Sequence, residues 1–164
     1  MTRALDTMLG LGLRPELAET AGPGDAERLA RDGATRGEAV VIAAGGDGTI
    51  AEVASGIAGS DAALGVLPLG TANVLAWEMG LAMRPEDAAG RLATGRMVEL
   101  RPGLARFADG RARLFVQMLG AGFDAAVVRD LELGLKRRIG KAAYVLETLR
   151  QLRRYDFPPL SAVI

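Results

Sequence analysis

Two short runs hold the residues best suited to chemistry. In Gly45-Gly46-Asp47-Gly48-Thr49, three glycines, a carboxylate and a hydroxyl fall in five consecutive positions. Glycines let a backbone turn sharply and approach a ligand closely. Ile50, Val53, Ala54 and Ile57 follow at helical spacing, so the turn empties into a helix N-terminus, where unpaired amides and the helix dipole favour an anion. The charge of Asp47 would oppose a bare phosphate. Its place is therefore beside Mg²⁺ or a hydroxyl that must lose a proton. The second run, Pro68-Leu69-Gly70-Thr71-Ala72-Asn73, offers Thr71 and Asn73 as neutral partners for a triphosphate and sugar, with Thr49 joining them from the first. The ordinary reading of either run alone is a tight strand-to-helix connection. Two such runs after neighbouring strands point to a nucleotide.

Other chemistries are excluded by what is missing. The chain has no cysteine and no histidine, which removes disulfides, thiolate or imidazole metal sites and Ser–His or Cys–His catalysis. Gly46-x-Gly48-x-x-Ala51 formally fits a dinucleotide fingerprint, but the next strand ends in Leu67-Pro68-Leu69 without the acid a ribose would need. Gly134 to Lys141 imitates a phosphate-binding P-loop, yet five residues separate its glycines and Ala142 stands where Ser or Thr would bind Mg²⁺.

The elements that position these runs follow from periodicity. Val40 to Ala44 is an unbroken apolar run read as a buried parallel strand, and Ala63 to Leu67 is the next one. Helices are expected over Ala4–Leu9, from Asp25 as N-cap, over 49–58, after Asn73 and from Pro85, with a brief strand over Leu17–Thr20. Trp77 and Met79 read as core residues. This alternation predicts a two-layer parallel α/β domain with its ligand at the carboxyl ends of the strands. Near Met97 the pattern changes. Leu104–Ala108 and Arg113–Leu119 read as a hairpin through a two-residue Asp109-Gly110 turn, helices cover roughly 124–154, and Leu160–Ile164 begins a further strand. The expected domains are residues 1–97, an α/β nucleotide-binding domain lacking its first strand, and 98–164, part of a β-rich sandwich with a helical insert. Both ends of the chain look cut.

Charge divides along the same line. Residues 1–98 carry 8 basic and 13 acidic side chains, and residues 99–164 carry 12 and 7, so the second part suits an anionic partner. Arg129, Lys136, Arg137, Arg138, Lys141, Arg150, Arg153 and Arg154 surround Leu131, Leu133, Leu135 and Ile139. The ordinary reading is a solvated helix face; the sharper one is peripheral contact with anionic phospholipid. Tyr144 is the one aromatic in that stretch, which disfavours nucleic acid. No apolar run spans a bilayer and no signal sequence opens the chain, so the expected location is cytoplasmic, with peripheral contact at the inner face of the membrane. Eighteen arginines against two lysines suit a GC-rich bacterial genome.

Together Gly45–Thr49, the Pro-Leu-Gly-Thr-x-Asn loop at 68–73, Gly122-Phe123-Asp124-Ala125 and Lys136-Arg137-x-x-Gly140-x-x-Ala143-Tyr144 make the chain, from about Ala18 onward, similar to the diacylglycerol kinase catalytic-domain family. That family includes bacterial diacylglycerol kinases, YegS-like lipid kinases and sphingosine and ceramide kinases. The first motif is shared with NAD kinases and phosphofructokinases; the second and third narrow the resemblance to lipid kinases.

The resemblance implies transfer of the γ-phosphoryl group of ATP, with Mg²⁺, to the hydroxyl of diacylglycerol or a similar lipid. Gly45, Gly46, Asp47, Gly48, Thr49, Gly70, Thr71 and Asn73 would bind nucleotide, between the α/β domain and the β-rich one. Asp47 would sit by the phosphates as catalytic residue and Mg²⁺ ligand, and Asp124 would face the lipid head, its ordinary reading being a helix N-cap. Two departures stand out: there is no Asn-Pro motif before the first helix, and the family's Asp-Gly-Glu segment with its general base would lie beyond Ile164. The chain is thus expected to be an incomplete fragment. Alternatives are an NAD or sugar kinase of the same superfamily, which Val74 after Asn73 disfavours for NAD, or a non-catalytic nucleotide- or lipid-binding module. A homodimer is compatible with the sequence, which fixes no oligomeric state.

Overall fold

Apolar residues of both parities on two adjacent strands decide the architecture. In the computed structural model, which describes residues 2–130 and 141–163 without the side chains of 141–143, the chain falls into two units, Met1–Gln117 and Met118–Ile164. The first runs α1 (Thr2–Gly10), α2 (Asp25–Thr35), β1 (Val40–Gly45), α3 (Asp47–Ile57), β2 (Ala63–Pro68), α4 (Val74–Glu78) and α5 (Pro85–Thr94), then the hairpin β3 (Gly103–Arg106) and β4 (Ala112–Phe115). The second holds α6 (Phe123–Asp130) and α7 (Lys141–Gln151).

β1 and β2 are parallel, in register from Val40 opposite Ala63 to Gly45 opposite Pro68. Successive strand side chains point to opposite faces. Ala43 and Val66 join Ile50, Val53 and Ile57 of α3, Ala26 and Ala30 of α2 and Leu75 of α4 on one face. Leu67, with Ile42 and Ala44 beside it, joins Ala4 and Met8 of α1 and Ala88 and Ala89 of α5 on the other. Helices therefore cover both faces, making three layers where the sequence reading expected two. A continuous apolar run is what a doubly covered strand requires.

The first unit departs from expectation in three further places. Leu17–Thr20 is irregular, with Leu17 exposed; a four-residue pattern cannot form a strand without an edge to pair with. Asp25 is the first residue of α2 rather than its cap; Gly24, at φ +88°, caps it, while the Asp25 carboxylate accepts the N–H groups of Ala21 (2.9 Å) and Gly22 (3.2 Å). Asp109-Gly110 lies in a three-residue turn, closed by the N–H of Phe107 donating to Arg111 (2.9 Å), with Gly110 left-handed at φ +83° as the third position of such a turn demands. Leu100 and Val116 flank this hairpin and pack against the core of the first unit.

In the second unit α6 buries Ala126 and Val127. Phe123, Tyr155 and Phe157 form an aromatic cluster with ring centroids 5.0–5.7 Å apart. Residues 160–163 are irregular rather than a strand, and Leu160 instead lies over Gly122. The P-loop imitation at 134–141 and most of the basic stretch, Lys136, Arg137, Arg138 and the Lys141 side chain, lie outside the described residues. Among the described residues no helix is long and apolar enough to cross a membrane.

Candidate active site: two glycine turns closed by Asp47

Parallel pairing brings both strand ends to one edge, and the N–H of Leu69 extends the ladder by donating to Gly45 (2.9 Å). The two turns then touch backbone to backbone. A Cβ on Gly70 would lie 2.4 Å from the Gly46 Cα, and one on Gly46 would lie 3.2 Å from the Gly70 Cα, so only glycine allows this approach. At Gly45 a Cβ would meet the Thr49 hydroxyl at 2.5 Å, which leaves Thr49 folded over the turn.

Asn73 shapes the second turn. It is buried, sits in the left-handed region at φ +52°, and its amide engages both backbone groups of Gly70: Oδ1 accepts the N–H and Nδ2 donates to the carbonyl, each at 2.9 Å. Asn tolerates that conformation better than most residues, which explains an Asn where the sequence alone shows only a polar group.

Asp47 joins the turns. Its Oδ2 accepts the N–H of Asn73 (3.1 Å) and its Oδ1 the N–H of Val74 (2.6 Å). Asn73 caps α4 without a side-chain bond of its own, so Asp47 serves as the missing acceptor from across the site. This answers the conflict noted in the sequence. The carboxylate faces the N-terminus of α4, and the N-terminus of α3 stays available to an anion. The first intrahelical bond of α3 runs from the N–H of Ile50 to Gly46 (3.0 Å), so the amides of Asp47, Gly48 and Thr49 have no intrahelical acceptor. Around Gly48 a Cβ would meet nothing within 4 Å. That opening suits a phosphate.

A Mg²⁺ ion held by Asp47 would share that carboxylate with the amides it accepts and take most of its ligands from nucleotide phosphates and water. Both Asp47 oxygens are engaged by amides, Asn73 Oδ1 is engaged by Gly70, and the described residues contain no group of three or more carboxylates that could share an ion.

Glu52, one and a half turns along α3, escaped the sequence reading. Its carboxylate accepts the N–H groups of Gly24 (2.9 Å) and Ala26 (3.2 Å), capping α2 where Gly24 has no side chain to do so. Gly56 lets the two helices meet: a Cβ there would stand 2.3 Å from the Glu27 carbonyl. An acidic residue on a helix normally reads as solvated, and only the packing of α2 on α3 reveals its task.

Trp77 corrects another expectation, being 68% exposed. On a short helix that buries Leu75 and Ala76, positions 77 and 78 fall on the outer side, while Met79, one turn after Leu75, packs against the core as expected. A groove of about 770 Å³ also lies on this unit, but at the opposite ends of the strands: Val40, Ala63 and Ile57 line it, and no residue of either glycine turn does.

Asp124 belongs to the second unit. It lies in the first turn of α6, one residue inside the helix and exposed, and accepts a hydrogen bond from the Tyr144 hydroxyl of α7. That bond, followed by burial, raises the Tyr144 phenol above its ordinary value. Gln151, buried, donates to Asp130 (2.7 Å) and Glu147 (3.2 Å). Hydrogen bonds from Arg129 and then Gln151 lower Asp130, and Asp130 in turn raises Arg129. Within the part of the basic stretch that the structure describes, Arg129 pairs with Asp130 and Arg150 with Glu147.

Fold and paired turns define an α/β protein whose two glycine turns meet at the carboxyl ends of parallel strands. Residues 3–105 match the diacylglycerol kinase catalytic domain. The chain belongs to that family. It is 34% identical to a Xanthomonas campestris protein named a probable lipid kinase YegS-like, over 99% of this chain and 53% of the relative. It is 36% identical to a Pseudomonas aeruginosa protein of the same name, over 77% of this chain and 40% of that one. A Bacillus anthracis protein, described with its crystal structure as a candidate diacylglycerol kinase, shares the fold with a TM-score of 0.59 and 23% identity, over 92% of this chain and 51% of its own. The chain spans about half the length of the curated relatives it matches.

Proposed function

We propose that this chain carries the nucleotide-binding machinery of a lipid kinase, transferring the γ-phosphoryl group of ATP to a hydroxyl of diacylglycerol or a similar lipid. The carrying observation is the clasp: Asp47 ties Asn73 and Val74 to the first turn, Gly46 meets Gly70, and the amides of α3 remain open beside them. Phosphates would lie against Gly45, Gly46, Gly48 and Thr49, with Gly70 and Thr71 flanking them and Asn73 holding the second turn in shape. Phosphoryl transfer depends mainly on positioning and charge stabilisation, which such a cradle supplies. Mg²⁺ enters as part of the Mg–ATP substrate, on the phosphate oxygens. Asp47 acts as the clasp, and Asp124 meets the acceptor's polar head.

The acceptor would be met at a membrane surface, with the arginines of the second unit drawn to anionic lipid, no nucleic acid partner, a cytoplasmic location and a homodimer as a further possibility. The proposed domain division lies at 97/98, where helix–strand alternation gives way to the hairpin, although that hairpin belongs to the compact unit Met1–Gln117. One observation favours a second reading, a nucleotide-binding module without turnover: both Asp47 oxygens are committed to amides, so Asp47 is poorly placed as a base. Labelled Mg–ATP offered with vesicles containing diacylglycerol or sphingosine, or with NAD, separates the readings. Label in lipid supports the proposal, label in NADP supports an NAD kinase, and nucleotide binding without transfer supports the module.

A further inference from the structure

β1 pairs with one edge of β2, and among the described residues no strand pairs with the other. The N–H groups of Ala63 and Leu69 both donate toward β1, to Ala39 and Gly45, each at 2.9 Å. Alternate residues of a strand turn their backbone groups to opposite edges, so those of Leu64 and Val66 point away from β1. Among the described residues no backbone partner meets them. They open into the groove of about 770 Å³, which residues 63–66 line together with Ile57 and Leu75 on one side of the sheet and Leu92 on the other. The edge is recessed, Val66 being 7% exposed, so a single extended segment can reach it where a second sheet cannot.

The lining also says what such a segment should carry. It is mostly apolar, its charged residues are Arg91 and Arg96, and it contains no carboxylate. An acyl chain would leave the Leu64 and Val66 backbone groups unpaired, whereas an extended polypeptide pairs them. Segment 15–20, Pro-Glu-Leu-Ala-Glu-Thr, has the matching chemistry: two carboxylates, no basic residue and an apolar Leu17 that is 55% exposed. Its Leu17–Thr20 part reads as a strand in the sequence but is irregular and exposed in the structure. One segment is a strand without an edge, and β2 is an edge without a strand.

We propose that the free edge of β2 and its groove bind segment 15–20 of a second copy of this chain. The segment adds to the sheet as an extended strand, with Glu16 and Glu19 facing the charge of Arg91 and Arg96. This contact is independent of the kinase reading, because no residue of either glycine turn lines the groove.

The test follows the full chain at rising concentration, by sedimentation velocity for size and by hydrogen exchange for the edge. The parent associates, and exchange at the Leu64 and Val66 amides slows as it does so, while the Ala63 and Leu69 amides, already bonded to β1, stay unchanged. A chain with Arg91→Glu and Arg96→Glu, or one with Glu16→Lys and Glu19→Lys, self-associates about tenfold more weakly. All four positions are exposed, so these changes leave the fold intact. Mixing the two reversed chains restores association, since the groove of each then matches the segment of the other. A blocked peptide of residues 15–20 competes with self-association and slows the same two amides.

The proposal is overturned if the parent stays monomeric at millimolar concentration, or if mixing the reversed chains restores nothing. Association that leaves exchange at Leu64 and Val66 unchanged also overturns it, placing the contact elsewhere. Slowing of those amides by oleate but not by the peptide overturns it in favour of a lipid in the groove.

Discussion

The carboxylate of Asp47 accepts the backbone N–H of Val74 at 2.6 Å, across 27 positions of sequence. One residue of the first glycine turn thereby caps the helix that follows the second. A carboxylate that would repel phosphate if it faced the ligand instead holds the two turns together.

Replacing Asp47 should therefore cost stability as well as binding. Asp47→Ala leaves the amides of Asn73 and Val74 without an acceptor and should destabilise the chain by about 1–3 kcal/mol in urea unfolding. Asp47→Asn keeps one acceptor oxygen and should lose less. Equal stability of parent and Asp47→Ala would contradict the clasp.

Two glycines should respond in opposite ways. Gly70→Ala forces a methyl group to 2.4 Å from the Gly46 backbone, so it should separate the turns and lower the melting temperature. Gly48→Ala meets open space and should leave the melting temperature nearly unchanged. Its methyl group would nonetheless enter the anion space and weaken Mg–ATP binding. Thermal scans and nucleotide titration of the two variants check this contrast.

Glu52 should prove structural at a distance from the site. Glu52→Ala removes the acceptor for Gly24 and Ala26, at a cost of about 1–2 kcal/mol to unfolding. Protection of α2 amides in hydrogen exchange should fall first. Unchanged exchange in α2 would show that the cap is idle.

Acid should weaken the fold through Asp25 and Asp130. The amides of Ala21 and Gly22 lower Asp25, and Arg129 and Gln151 lower Asp130, both from an ordinary value of 3.8. A depressed carboxylate contributes its stability fully above the unfolded value and loses it as pH falls through the folded value. Stability contributed by these groups should thus hold at neutral pH and drop below about pH 4. Asp25→Asn and Asp130→Asn should each flatten the acid limb of a stability–pH curve.

Much of the first unit could be read from residue order, because its signals are local. The apolar runs at 40–44 and 63–67 need no partner to be recognised as buried strands, and parallel pairing then puts 45–49 beside 70–73 without further information. What escaped depends on contacts distant in sequence. Nothing local says that Asp47 reaches Val74, that Glu52 reaches Gly24, or that Tyr144 reaches Asp124. Trp77 was misplaced for a related reason: large apolar residues are usually inside, and only the burial of Leu75 and Ala76 on the other side of α4 turns this one outward. The strands expected at 17–20 and 160–164 failed because strand propensity over four or five residues means little without an edge to pair with.

The most direct test of the central claim is a Mg–ATP titration followed on the backbone amide signals of Gly48, Thr49, Gly70 and Thr71. Joint movement of both turns, along one binding curve, is the predicted result. Movement of only one turn, or of neither at millimolar nucleotide, would contradict the shared phosphate site and the kinase reading built on it.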